Sequence, residues 1–186
     1  MSAREEKKRL RAQLLAHRAA LSPEERAAMD ASITRAVLAQ PEYQAARTVF
    51  CYVSVAPEPD TRAILADILA SGKTLLVPRC GKNGQMDAVA IQDLCQLISG
   101  AYGLPEPPPQ LPAADPSTID LALVPALAVG ENGSRLGRGG GYYDRFLAGR
   151  GYPAWAICYV NQSVPTEALD APVDRVFCPQ TKEETP

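Results

Sequence analysis

Four short apolar runs, separated by stretches of helical pattern, constrain this chain more than any other feature. Thr48-Val-Phe-Cys-Tyr-Val53, Thr74-Leu-Leu-Val-Pro78, Asp120-Leu-Ala-Leu-Val-Pro125 and Ala154-Trp-Ala-Ile-Cys-Tyr-Val160 are rich in β-branched, aliphatic and aromatic residues. Uninterrupted runs of this kind read as strands buried on both faces. Strands that alternate with helices imply a mostly parallel sheet covered by helices, an α/β fold of Rossmann-like variant. At 186 residues the expectation is a single domain spanning residues 1–186.

The connecting segments carry their own punctuation. Residues 4–20 place Leu10, Leu14 and Leu15 at helical spacing among Arg and Lys. Ser22-Pro23-Glu24-Glu25 then restarts the chain, with Ser22 as N-cap, Pro23 at the first helical position and Glu25 completing a capping box. That second helix is expected to reach about Gln40, where Pro41 stops it, so residues 1–40 form two N-terminal helices. Asp60 or Thr61 caps another helix through Leu69, closed by Ser71-Gly72. Met86 to Ile91 reads as a further strand after the Asn83-Gly84 turn, and Val176-Phe177 as a short last one. Residues 103–118 hold Pro105, Pro107, Pro108, Pro109, Pro112 and Pro116, which exclude regular structure and suggest an extended crossing segment. Residues 180–186 read as a polar tail.

Composition narrows the chemistry. The formal charge of −2 argues against a general nucleic-acid binder, because duplex binding needs a basic surplus. No apolar run approaches the ~20 residues of a membrane span, and the basic start lacks a signal-peptide core. A cytoplasmic protein is expected, with neither membrane nor nucleic acid among its partners. The five cysteines are widely spaced with no C-x-x-C, and Cys51 and Cys158 lie inside apolar runs as reduced, packed thiols. The one histidine, His17, sits on a charged helix, which removes zinc sites built on paired histidines and leaves a Ser-His-Asp triad no good candidate. The chemistry must rest on carboxylates, basic side chains, backbone amides and metal ions.

Such groups concentrate in Arg135-Leu-Gly-Arg-Gly-Gly-Gly-Tyr-Tyr-Asp144, between a strand ending near Pro125 and a helix starting near Tyr142. Ligands of α/β sheets bind beyond the strand carboxyl ends, and glycines there let backbone N–H groups approach phosphate. By glycine content alone a flexible turn is an equal reading. Arg135 and Arg138 add charge-assisted donors and Asp144 a metal ligand, which favours phosphate. The loop is neither a Walker A motif nor a dinucleotide fingerprint, since no Lys-Ser/Thr follows and the G-x-G-x-x-G spacing is absent.

The continuous stretch from Val124 to Leu147 resembles the signature of the 5-formyltetrahydrofolate cyclo-ligase family, also called methenyltetrahydrofolate synthetases. Lys7-Lys-Arg-Leu-Arg11, Glu58-Pro-Asp-Thr61, Val77-Pro-Arg79, Tyr102-Gly-Leu-Pro-Glu-Pro107 and Val164-Pro-Thr-Glu-Ala-Leu-Asp170 are similar to further family segments. The resemblance implies a ligase with ATP as co-substrate and Mg²⁺ as metal, acting on 5-formyltetrahydrofolate in one-carbon metabolism. ATP would phosphorylate the formyl oxygen, N10 would close the ring, and 5,10-methenyltetrahydrofolate would form with ADP and phosphate. It implies ATP contacts from Lys7, Lys8, Arg9, Leu10 and Arg11, and from Arg135, Leu136, Gly137, Arg138, Gly139, Gly140, Gly141, Tyr142 and Tyr143. Folate would meet Val53, Val55, Glu58 and Tyr102 together with Arg138 to Tyr142; Asp144 and Asp170 would hold the metal. Arg138, Tyr142 and Asp144 are the implied catalytic residues, Arg79 is a further candidate for phosphate or the substrate's glutamate, and a monomer is expected. Some relatives carry Lys at Gly140, and many bacterial ones His at Leu169; both are absent here.

On the residues alone Lys7 and Arg11, at i and i+4, read first as a solvated basic face, and only the resemblance turns them toward phosphate. Two other functions compete. One is a different ATP-dependent enzyme on the same scaffold; the other is a nucleotide- or RNA-associated module using the basic Lys7–Arg18 helix.

Overall fold

The computed structural model describes residues 2–160, 162, 164, 165, 167 and 170–179. The expected tail at 180–186 and Leu169 lie outside the described residues.

The chain opens with helices α1 (Ala3–Ala20) and α2 (Pro23–Leu38), each started by a serine capping box. Ser22 Oγ accepts from Glu25 N at 3.1 Å and Glu25 Oε2 accepts from Ser22 N at 2.8 Å, satisfying two N–H groups that a helix start leaves open. Pro41 does more than stop α2. It stands at the first turn of a short third helix, α3 (Pro41–Ala45), because its fixed φ suits a helix start as well as it blocks a helix interior.

Strand β1 (Thr48–Cys51) follows, then α4 (Arg62–Ala70), β2 (Thr74–Cys80), β3 (Met86–Ile91), β4 (Ile98–Ser99), β5 (Pro105–Glu106) and β6 (Leu121–Pro125). The short pair β7 (Ala128–Val129) and β8 (Arg135–Leu136) precedes α5 (Tyr142–Leu147), β9 (Ala154–Ile157) and β10 (Arg175–Phe177). The main sheet has the order β10-β9-β6-β1-β2-β3. Every neighbouring pair in it is parallel except β2–β3, which is antiparallel over six residue pairs. Counted along the main sheet alone, this is the doubly wound order 3-2-1-4-5-6 with its third strand reversed. The Rossmann-like expectation holds, and β3 is reversed because the Asn83-Gly84 turn is too short for a crossover helix.

Alternation along β1 shows the two-faced burial: Val49 and Cys51 point into one core with α2, α3 and α4, and Phe50 into another with Leu147 of α5. A smaller cluster docks α1 on the β7–β8 pair through Leu14, Leu127, Ala128 and Leu136. The proline-rich crossing is mostly irregular as expected, but Pro105–Glu106 pairs with Ile98–Ser99 at an edge, where a missing proline N–H costs little, Ala113 bridges Val89, and Pro116–Thr118 forms one 3-10 turn.

Candidate active site

In a doubly wound sheet the connections leave the strand ends in opposite directions at one point, and a crevice opens there. Here that point is between β1 and β6. A cleft of about 960 Å³ lies beyond their carboxyl ends and is lined by Tyr52 and Val53 after β1 and Pro125 to Leu127 after β6. The glycine loop forms another wall, the inner face of α1 a third, and the β4–β5 hairpin closes the far side.

The α1 wall is unusual in what it buries. Its inward stripe is Lys7, Leu14 and Arg18, so two cations are carried inside by a helix anchored on Leu14 with Leu10 beside it. Lys7 is 3% exposed, and its Nζ donates to Asp170 at 2.6 and 2.8 Å and to Glu167 at 2.8 Å. Burial alone would lower the Lys7 pKa, but the two carboxylates outweigh it and raise the group above its ordinary value. Lys7 is therefore charged at neutral pH. Arg11, one turn on, donates from Nε to Gly137 O at 2.8 Å and ties α1 to the loop. Arg18 donates to the carbonyls of Ala126 and Leu127 and lies over the Tyr159 ring at 5.5 Å. It fixes the corner where β6 passes into the β7–β8 pair.

The loop itself needs glycine. Gly139 and Gly141 have φ of +100° and +67°, a region that side chains with a Cβ rarely adopt. Arg135 is buried; Nη2 donates to Asp144 Oδ1 at 2.8 Å, Nη1 to Pro125 O at 3.2 Å, and Nε is buried with no partner among the described residues. Its guanidinium also lies 5.3 Å from the Tyr143 ring centroid. Arg138 is half-exposed and forms an ion pair at 3.0 Å with Glu58. Arg145 spans the loop, donating to Gly140 O at 2.6 Å and to Gly84 O at 2.9 Å. With six residues α5 is too short to carry a sizeable dipole. Any attraction of an anion to this loop would rest on guanidinium, ammonium and backbone N–H groups rather than on a helix end.

At the far side Tyr102, at φ +58° and 80% exposed, places its hydroxyl 3.2 Å from that of Tyr142. This contact first, and slight burial next, push the Tyr142 phenol up to about 12, so it stays protonated at neutral pH. Tyr143 is held well above the ordinary range by burial. The wall also contains Cys80 and Glu106. Burial, then a hydrogen bond with Glu106, pushes the Cys80 thiol up to about 12, which keeps it unreactive.

The expected site residues are thus gathered in part. Lys7, Arg11, Val53, Glu58, Tyr102, Arg135, Gly137 to Asp144 and Asp170 all line the one cleft. Lys8 and Arg9 do not, because they fall on the exposed side of α1. Leu10 packs on the small core beside Leu14, and Leu136 is buried within that core. Val55 reaches the site through its backbone: its N–H donates to Glu58 Oε2 at 3.1 Å. Arg79 instead pairs with Asp87 and donates to the carbonyls of Pro108, Pro109 and Leu111, pinning the proline-rich segment. Sequence reasoning missed Arg18, Cys80, Glu106, Arg145 and Glu167. Only Arg18 left a signal, seven residues after Arg11 on the same helix face. His17 is exposed on α1.

Asp144 and Asp170 each neutralise a cation, and no three His, Cys, Asp or Glu among the described residues cluster as a metal cage. That donor set fits a hard divalent ion held by one or two carboxylates plus phosphate oxygens, and not an ion held by protein alone. Also among the described residues, no helix is long and apolar enough to cross a membrane.

Fold and cleft define an α/β protein with a cleft of small-molecule size whose described lining holds cations, carboxylates and phenols. Residues 3–179 match the profile of the 5-formyltetrahydrofolate cyclo-ligase family. A 5-formyltetrahydrofolate cyclo-ligase of Mycolicibacterium smegmatis is 38% identical over 148 residues, covering 72% of this chain and 74% of the relative. That of Mus musculus is 29% identical over 181 residues, covering 94% and 85%. Among solved structures, the 5,10-methenyltetrahydrofolate synthetase of Aquifex aeolicus superposes with a TM-score of 0.81 at 28% identity, covering 92% of this chain and 89% of that one. The chain belongs to the 5-formyltetrahydrofolate cyclo-ligase family.

Proposed function

We propose that this enzyme converts 5-formyltetrahydrofolate to 5,10-methenyltetrahydrofolate at the expense of ATP, releasing ADP and phosphate. The observation that carries the reading is the convergence of Lys7, Arg11, Arg135, Arg138 and a positive-φ glycine loop on one cleft that also presents Glu58 and a tyrosine pair. At about 960 Å³ it stands at the upper end of small-molecule sites, roughly 300–1,000 Å³, which suits two ligands side by side.

The cationic wall and the loop N–H groups bind the triphosphate, with Arg138 facing the phosphoryl group that moves. The formyl oxygen attacks that group and becomes a phosphate ester, ADP leaving. N10 then attacks the formyl carbon, the carbon–oxygen bond breaks with loss of phosphate, and N10 gives up its proton. The first step needs charge neutralisation around the phosphoryl oxygens, which fixed guanidinium and amide donors provide without reorganising. The second needs N10 and the carbon held close, more than it needs a strong base. Glu58 accepts from the donor edge of the pterin while Val53, Tyr102 and Tyr142 enclose the ring. Mg²⁺ at Asp144 and Asp170, shared with phosphate oxygens, would add charge neutralisation.

The direct test is incubation of purified protein with 5-formyltetrahydrofolate and Mg-ATP while following methenyl absorbance. Absorbance should rise with both substrates present and with neither alone. A folded, magnesium-replete sample giving no rise would overturn the reading.

A further inference from the structure

Glu58 is aimed by its own backbone turn. Its Oε2 accepts from Val55 N at 3.1 Å, its N–H donates to Val55 O at 2.9 Å, and its Oε1 lies 3.0 Å from Arg138. The direction of the carboxylate therefore follows the turn from Val55 to Glu58, and the turn follows its two stems. Ser54 N donates to Thr61 Oγ1 at 3.2 Å and Thr61 N to Ser54 Oγ at 3.0 Å, which closes the stems on each other. The Thr61 hydroxyl donates to Tyr52 O and the Tyr52 hydroxyl to Pro59 O, each at 2.9 Å.

One further tie reaches the second stem from a residue that does not line the cleft. Asp30 lies in the middle of α2, and its Oδ1 accepts from Asp60 N at 3.0 Å and from the buried Tyr159 hydroxyl at 2.7 Å. One oxygen thus joins α2 to the segment after β1 and to the segment after β9. Burial first, and Asp30 next, hold the Tyr159 phenol well above its ordinary range, so at neutral pH it is the donor. Aspartate is among the poorer residues for a helix interior, so α2 itself gives no reason for it there.

We infer that Asp30 is a positioning residue for Glu58 and sets the grip on the folate ring without touching it. This rests on the proposed role of Glu58 as acceptor for the donor edge of the pterin. Hydrogen bonds weaken steeply out of alignment, so a shift of about 0.5 Å in the turn is felt at its carboxylate. Without Asp30 Oδ1, Asp60 N–H turns to water, the Tyr159 hydroxyl loses a buried acceptor, and the second stem is held from the β1 side alone. What the contact requires is one oxygen that accepts twice, and not a charge. An amide oxygen also has two lone pairs, so asparagine can stand in where alanine cannot.

The test is steady-state kinetics on the full chain with 5-formyltetrahydrofolate and Mg-ATP. Asp30→Ala should raise KM for the folate about 5–10-fold, the scale of one impaired hydrogen bond. Its kcat and its KM for ATP should stay within about twofold of wild type. Asp30→Asn should match wild type within about twofold in all three quantities, because it keeps the acceptor. In a Glu58→Ala background, Asp30→Ala should raise KM no further, since the group it acts through is already gone. A role in stability alone would lower the unfolding midpoint in both backgrounds and leave KM where it was. Asp30→Ser, whose hydroxyl is one bond shorter but can be hydrated, takes the place of Asp30→Ala if circular dichroism shows the latter unfolded. An unchanged KM in Asp30→Ala, an equal rise in Asp30→Asn, or a full further rise on top of Glu58→Ala would each overturn the inference. The folate reading would survive all three. A folded wild type that turns over no 5-formyltetrahydrofolate would overturn both.

Discussion

At the α1 end of the cleft Lys7 is closed between two carboxylates and Arg11 is tied to the loop, whereas at the hairpin end Tyr102 stands out in solvent and meets the opposite wall through one hydroxyl. The first end is cross-linked by charge from α1, the glycine loop and the segment around Asp170. The second hangs on β4 and β5, two residues each. One end has its donors held in place before any ligand arrives, as electrostatic stabilisation of a moving phosphoryl group requires. The other is an exposed flap over an apolar floor, suited to closing on a flat ring. Losses at the first end should therefore appear in turnover, and losses at the second in binding of the ring.

The largest effect is expected at the charged end. Arg138→Ala and Asp144→Asn should each lower kcat by about 10²–10³, the scale of losing one preorganised donor or its partner. Steady-state rates with both substrates saturating give the measurement. Both residues lie in or beside the loop rather than in the sheet, so circular dichroism should remain that of the wild type. A normal kcat in either variant would break the contrast, because it would take the phosphoryl group away from this wall.

At the hairpin end Tyr102→Ala should raise KM for the folate about 3–10-fold, the equivalent of the roughly 0.5–1.5 kcal/mol that an aromatic contact adds, and leave KM for ATP unmoved. Tyr142→Phe isolates the hydroxyl contact and should give the smaller part of that rise. Because the Tyr142 phenol is pushed up to about 12, it stays protonated from pH 7 to 10. Loss of its hydroxyl should then leave the shape of the pH–rate profile over that range unchanged. A rise in KM for ATP in either tyrosine variant would show that the two ends are not separable.

The same contrast explains what could be read from the chain itself. The four apolar runs, the capping box at Ser22 and the Asn83-Gly84 turn are local signals, and each sits where its chemistry requires. The glycine loop was legible because glycine, arginine and aspartate occur together within ten residues. What α1 contributes was only half legible. Helical spacing puts Lys7 and Arg11 on one face, but nothing in a helix pattern says that this charged face is the buried one, so Lys8 and Arg9 read as equals. Their separation comes from Leu14 seating on Leu127 and Leu136, a tertiary contact more than a hundred residues away. Arg79 is hard to read from the sequence for the opposite reason. Its charge is absorbed by carbonyls of the proline-rich segment, whose path has no periodic signal. Glu106 and Cys80 meet only because the hairpin folds over β2.

A change outside both ends sets the scale for all of these. Ser22→Ala removes the oxygen that accepts from Glu25 N, and such a cap is worth about 1 kcal/mol. In a chain of this size the midpoint of thermal unfolding should fall by about 2–4 °C. Ser22 lies in the corner joining α1 to α2, so the variant also asks what holds α1 against the cleft. If the ion pairs of Lys7 and the Arg11 contact hold it, KM for ATP and for the folate will be unchanged at 25 °C while stability drops. If KM for ATP rises with the fall in stability, the cations of α1 owe their position to the corner and not to their partners. The charged end would then be as adaptable as the hairpin, and the contrast between the two ends would be lost.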